Sequence, residues 1–100
     1  MGVALRINPT ATADMQEIKK YLAKDSDEVA TKTIKEIISN IENLTDFPEL
    51  GLQLMYKIKL KSNYRYIICG QYIVFYVYEK DAVLVQRVLH GKRDIISLLK

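Results

Sequence analysis

The chain has one cysteine, one histidine, two prolines and four glycines in 100 residues, and each scarcity excludes something. A lone Cys69 cannot close an internal disulfide, so the composition points to a cytoplasmic protein rather than a disulfide-stapled secreted module. One imidazole and one thiol on different predicted strands give neither metal-ligand spacing nor a ready nucleophile–base pair. No apolar run approaches the ~20 residues that cross a bilayer, and the opening "MGVALRINP" lacks the long apolar region of a signal peptide. Repeats, low-complexity stretches, a glycine-rich phosphate loop and a Gly-x-Ser-x-Gly elbow are all missing. No metal, cofactor or membrane is therefore expected.

What is present is a hydrophobic content of 49%, enough for one core, and residues 1–100 are expected to form a single domain. The net charge of +3 hides an asymmetry. Residues 1–56 carry six Lys/Arg against nine Asp/Glu, a balance of −3, whereas residues 57–100 carry nine against three, a balance of +6. A basic C-terminal half points to an acidic or polyanionic partner; scattered charge on a solvated surface is the plainer reading.

Hydrophobic period orders the elements. "VALRIN" (Val3–Asn8) alternates and reads as a strand, and Pro9-Thr10 then opens a helix whose inner face is Ala11, Met15, Ile18 and Leu22. Asp25 and Glu28 have capping-box spacing for a second helix, with the stripe Ala30, Ile34, Ile37, Ile38, Ile41 and Leu44 and a stop at Pro48. The period then falls to two. Tyr64–Cys69, Tyr72–Glu79 and Ala82–His90 are β-rich runs joined by Gly70-Gln71 and Lys80-Asp81, which predicts an antiparallel meander. "RDIISLLK" predicts a short C-terminal helix. The expected fold is α+β, in the order β-α-α-β-β-β, with a two-helix hairpin packed on a twisted antiparallel sheet. Met55–Lys61 is open between two readings. As a strand it lines up Lys57, Lys59 and Lys61 in a basic row; as a connection those lysines are solvated.

The chemistry-bearing residues gather where the last strand ends. Arg87, His90, Lys92, Arg93 and Asp94 fall together in sequence, with Arg65 opening an earlier strand. Arginine is the bidentate partner for a phosphate and histidine the acid or base, so such a group can clamp an anion. The structural alternative makes Arg93 and Asp94 a helix-opening pair and His90 a packed strand-end residue. Tyr56, Tyr64, Tyr66, Tyr72, Tyr76 and Tyr78 could stack on bases or simply pack across strands.

The run "QYIVFYVYEKDAVLVQRVLHGKRDIISLL", with "RVLHGKRD" as its most specific piece, resembles the ParE/RelE superfamily of toxins from bacterial type II toxin–antitoxin (plasmid stabilization) systems. The likeness extends to the N-terminal half through the strand, the helical hairpin, "FPELG" and Arg65, and it is closer to ParE. It implies a growth-inhibiting toxin neutralised by a cognate antitoxin that wraps the hairpin and sheet. The assembly would be a homodimer or a toxin–antitoxin hetero-oligomer.

Two mechanisms follow from the resemblance. ParE-like members inhibit DNA gyrase, with Arg65, Arg87, Lys92 and Arg93 here as target-binding candidates. RelE-like members are metal-independent, ribosome-dependent mRNA endonucleases, for which Arg65, Arg87, His90, Arg93, Lys57 and Lys59 are the catalytic candidates. Counting back from "GKR", a nuclease arginine would fall at or near Ile73, and paired lysines near Arg65 and Ile67, so this chain keeps one basic residue there. The C-terminal tyrosine of several nuclease members has no counterpart in "DIISLLK". An inert binding protein of the same fold is the third possibility.

Overall fold

A computed structural model describes residues 2–53 and 63–92. Expectations for Met55–Lys61, including Lys57 and Lys59, and for the terminal helix with Arg93 and Asp94 lie outside the described residues. Strand β1 (Ala4–Ile7) is followed by α1 (Pro9–Ala23) and α2 (Asp27–Asn43). Strands β2 (Leu52–Gln53), β3 (Tyr64–Cys69), β4 (Tyr72–Glu79) and β5 (Ala82–His90) complete the sheet. Its spatial order is β1-β5-β4-β3-β2. The meander β3–β4–β5 is antiparallel as expected, while β1 joins beside β5 in parallel, Ala4 opposite Ala82 and Ile7 opposite Val85. A two-residue β2 on the far edge was not foreseen.

Local chemistry explains the helix ends. Extended Asn8 accepts the Thr10 N–H on its side chain at 2.8 Å, and Pro9 occupies the first helical turn, where its missing N–H costs nothing. The cap of α2 is Ser26, not Asp25. The Asp25 and Ser26 N–H groups both still bond to the Leu22 carbonyl, which keeps Asp25 in the closing turn of α1, and Ser26 Oγ takes the Val29 N–H at 3.2 Å. At its other end α2 stops at Asn43, short of Pro48. Leu44 and Thr45 turn back onto Ile41 and Glu42, and Thr45 Oγ donates to the Glu42 carbonyl at 2.7 Å.

The core lies between the hairpin and one sheet face: Ala11 and Met15 of α1, Ile37 and Ile41 of α2, Leu44, then Val74, Tyr76, Val83, Val85 and Val88. Fully burying one such aliphatic side chain contributes about 1.5–3 kcal/mol. Ile38, expected to point inward, is 38% exposed. On the other face Tyr66, Phe75 and Leu89 form a smaller cluster, with the Tyr66 and Phe75 ring centroids 6.2 Å apart. The tyrosines within the described strands thus serve largely as packing residues. Cys69 packs against the core, and burial pushes its thiol above the ordinary value.

A bulge interrupts β5. Tyr76 is opposite Val85 and Phe75 opposite Arg87, so Gln86 has no partner on β4. The extra residue resets the alternation and lets Val83, Val85 and Val88 all reach the same core.

Tyr76 is fully buried, and its hydroxyl accepts the Gly51 N–H and donates to the Pro48 carbonyl, both at 2.8 Å. A Cβ at Gly51 would lie 2.6 Å from that hydroxyl oxygen, so only glycine fits there. Tyr76→Phe leaves a backbone N–H and a carbonyl without their partner; urea unfolding should show a loss of about 1–3 kcal/mol. Burial also raises the Tyr72 and Tyr76 phenols. With Cys69, these groups lose protons from the unfolded chain first, so stability should fall as pH rises through about 9 to 11. Stability unchanged across that window, measured by denaturant titration, would contradict the burial.

Candidate functional site

The site grows out of a mismatch between strands. Strand β1 ends at Ile7, opposite Val85, so among the described residues the outer edge of β5 runs on without a strand beside it. The Asn8 N–H still bonds to the Val85 carbonyl at 2.8 Å, and its side-chain amide reaches Gln86 Oε1 at 3.2 Å. Helix α1 then crosses the uncovered edge and delivers Asp14 to it. One carboxylate oxygen accepts both Arg87 Nε at 2.8 Å and the Val88 N–H at 3.0 Å, while the other accepts Arg87 Nη2 at 3.0 Å. The pair is largely shielded, with side-chain exposures of 21% for Arg87 and 11% for Asp14. The Asp14 carboxylate holds the Arg87 guanidinium above its ordinary pKa.

Two residues further on, Tyr72 pairs with His90, and the Gly91 N–H closes onto the Gln71 carbonyl at 2.9 Å. His90 Nδ1 accepts the Lys92 backbone N–H at 3.1 Å. A nitrogen that accepts carries no proton, so Nε2 is the N–H that faces Gln71 Oε1 at 3.3 Å. The Tyr72 ring meets the imidazole edge-on, 5.4 Å between centroids. A groove of about 650 Å³ runs between α1 and this strand end, walled by Glu17, Ile18 and Tyr21 on one side and by Tyr72, His90 and Lys92 on the other. One wall carries carboxylates and the other a lysine.

Arg65 belongs to a different place. It pairs across β3–β4 with Tyr76, whereas His90 pairs across β4–β5 with Tyr72. Two strand spacings and four residues of rise separate their backbones, roughly 16 Å. Its guanidinium donates to the Gly51 carbonyl at 3.0 Å and the Glu49 carbonyl at 3.3 Å. Among the sequence candidates, His90 and Lys92 share a turn, Arg87 joins them through α1, and Arg65 fastens a loop. Lys57, Lys59 and Arg93 lie outside the described residues. Ile73, at the position where the resemblance implies a nuclease arginine, packs against the Tyr66–Phe75–Leu89 cluster. No group of three metal-ligating side chains occurs among the described residues.

Asp14 escaped the sequence reading. It lies between the core residues Ala11 and Met15 on a helix of mixed charge, and nothing local marks a partner 73 residues away. Asp14→Asn should lower stability by about 2 kcal/mol, the usual scale for hydrogen bonds to charged groups. Combining it with Arg87→Met should cost less than the sum of the two single changes, as thermal and urea unfolding of all four proteins would show. Strict additivity would mean that the two side chains do not depend on each other.

The arrangement can now be set beside known proteins. The family model described as the ParE toxin of the type II toxin–antitoxin system parDE matches residues 5–95. A solved structure described as the chromosomal ParDE toxin–antitoxin system of P. aeruginosa superposes with a TM-score of 0.73 at 15% identity, over 88% of this chain and 95% of that one. The toxin–antitoxin complex RelBE2 from Mycobacterium tuberculosis superposes with a TM-score of 0.65 at 15% identity, over 90% of this chain and 99% of that one. No curated protein matches by sequence. With the family model covering nearly the whole chain and the same strand–hairpin–meander order in its structural neighbours, the protein belongs to the ParE toxin family of type II toxin–antitoxin systems.

Proposed function

We propose that this toxin arrests growth by inhibiting DNA gyrase and is neutralised by a cognate antitoxin. The carrying observation is how three of the described candidate side chains, Arg65, Arg87 and His90, are used. Arg65 donates to loop carbonyls, Arg87 to Asp14, and the two His90 ring nitrogens face the Lys92 N–H in its own turn and Gln71 in the turn before β4. RNA cleavage needs cations facing the scissile phosphate and an acid or base within hydrogen-bond reach of the reacting atoms. These residues instead spend their polar groups on holding the fold, which suits a surface that docks on a protein. The antitoxin reading is supported by the two structural neighbours, both described as toxin–antitoxin systems or complexes. A half-apolar groove beside α1 offers room for a partner segment. An acidic segment would meet the +6 half of the chain, residues 57–100.

The likeness to RelBE2 keeps a second reading, ribosome-dependent mRNA cleavage. It would rest on Lys57, Lys59, Lys92 and Arg93. Paired assays on antitoxin-free protein separate the two: gyrase supercoiling and DNA cleavage on plasmid, and mRNA cleavage on programmed ribosomes, each repeated with Arg93→Ala. Gyrase inhibition with intact mRNA is expected. Codon-positioned mRNA cuts that disappear in Arg93→Ala would overturn the gyrase reading. No growth arrest on expression without antitoxin would make the protein an inert binder.

A further inference from the structure

The loop between α2 and β2 is built in an unusual way. Phe47, Leu50 and Leu52 are 59%, 57% and 61% exposed, three large apolar side chains within six residues. Their backbone, in contrast, is tightly held. Tyr76 bonds to the Pro48 carbonyl and the Gly51 N–H, Arg65 to the Glu49 and Gly51 carbonyls, and the Leu50 N–H closes onto the Phe47 carbonyl. All of these anchors grip main-chain atoms. The apolar side chains are left outward, so the fold gains little from their being apolar. Ile68, 66% exposed, extends the patch on β3, two residues along from Tyr66, the partner of Leu52. A loop fixed in this way has already met the ordering cost that association would otherwise carry.

Charge says what would cover it. From Glu36 to Tyr56 the chain has four carboxylates, Glu36, Glu42, Asp46 and Glu49, and no lysine or arginine; Arg65, which reaches this loop from β3, directs its guanidinium at the Glu49 and Gly51 carbonyls. Asp46 and Glu49 are exposed and flank the apolar residues. An acidic antitoxin segment would be repelled here, whereas an apolar cleft rimmed by lysine and arginine is complementary. We propose that the loop spanning residues 46–52 is the surface by which this toxin docks onto its protein target, inserting Phe47 and Leu50 into an apolar cleft with a basic rim. The proposal rests on the reading of the chain as a toxin with a protein target.

The test uses the full chain, free of antitoxin, with purified gyrase in a supercoiling assay. Phe47→Ser/Leu50→Ser should raise the half-inhibiting concentration at least tenfold without moving the melting temperature. Glu49→Lys, which keeps both apolar side chains, should raise it about threefold or more by charge repulsion. Val29→Ser, an equally exposed apolar site on α2, should leave it unchanged. Half-inhibition within twofold of the parent for both loop variants would overturn the proposal while leaving gyrase as the target. If the parent spares gyrase yet arrests growth, the gyrase reading fails and the loop is judged on that arrest. Arrest lost in both loop variants at matched expression would uphold the docking surface, and undiminished arrest would overturn it. Sedimentation of the parent as a dimer and of the double variant as a monomer would also overturn it, by assigning the loop to self-association.

Discussion

Strand β5 is nine residues long and β1 only four, so among the described residues more than half of the outer edge of β5 has something other than a strand beside it. An uncovered edge leaves backbone groups without partners and invites pairing with other chains. The protein solves this with one carboxylate. Asp14 takes the Val88 N–H as a strand would and adds the Arg87 guanidinium, which ties α1 to the sheet at the point where β1 leaves it. The bulge at Gln86 lies between the part of β5 that β1 covers and the part that Asp14 covers. The groove beside α1 and the position of its acidic wall follow from that attachment.

The opposite side of the core obeys the same requirement by other means. A tyrosine hydroxyl fully inside an apolar cluster would be costly if unpaired. Tyr76 instead reaches through the core to the loop before β2 and satisfies one donor and one acceptor there. No buried side-chain nitrogen or oxygen among the described residues lacks a partner. Asp14 and Tyr76 therefore have parallel roles: each substitutes a side chain for missing secondary structure and fixes a segment that regular pairing does not reach.

This division explains what could be read from the sequence. The meander was legible because period-two runs and two-residue turns are local signals. Gly70 sits at φ 61°, as a hairpin turn with glycine first requires, and Lys80 and Asp81 adopt φ 53° and 59° without any glycine. The helices were legible as stripes but not at their ends, where Ser26 rather than Asp25 caps α2 and a turn onto Glu42 ends it before Pro48. The parallel pairing of β1 with β5 joins residues 78 apart, Ala4 with Ala82, and carries no local mark. The same applies to the site. His90 and Lys92 could be found because they are neighbours, but Asp14 could not, and neither could the part Arg65 plays for a loop 14 residues before it.

The uses made of these arginines bear on how one fold can serve different chemistries. A shared architecture does not specify an activity; the side chains left facing outward do. Arg87 and Arg65 show how a basic residue on this sheet can be assigned to structure. Once a guanidinium donates to a carboxylate or to two carbonyls, fewer of its donors remain for a phosphate, and turning it outward would forfeit bonds that hold α1 or the 48–51 loop. Ile73, in an apolar cluster, makes the same choice at a third position. At the two arginine positions the cation is committed to the frame rather than to an anion from outside the chain. Among the described residues, what is then presented outward includes the apolar side chains of Phe47, Leu50 and Leu52 on a loop whose backbone is firmly held.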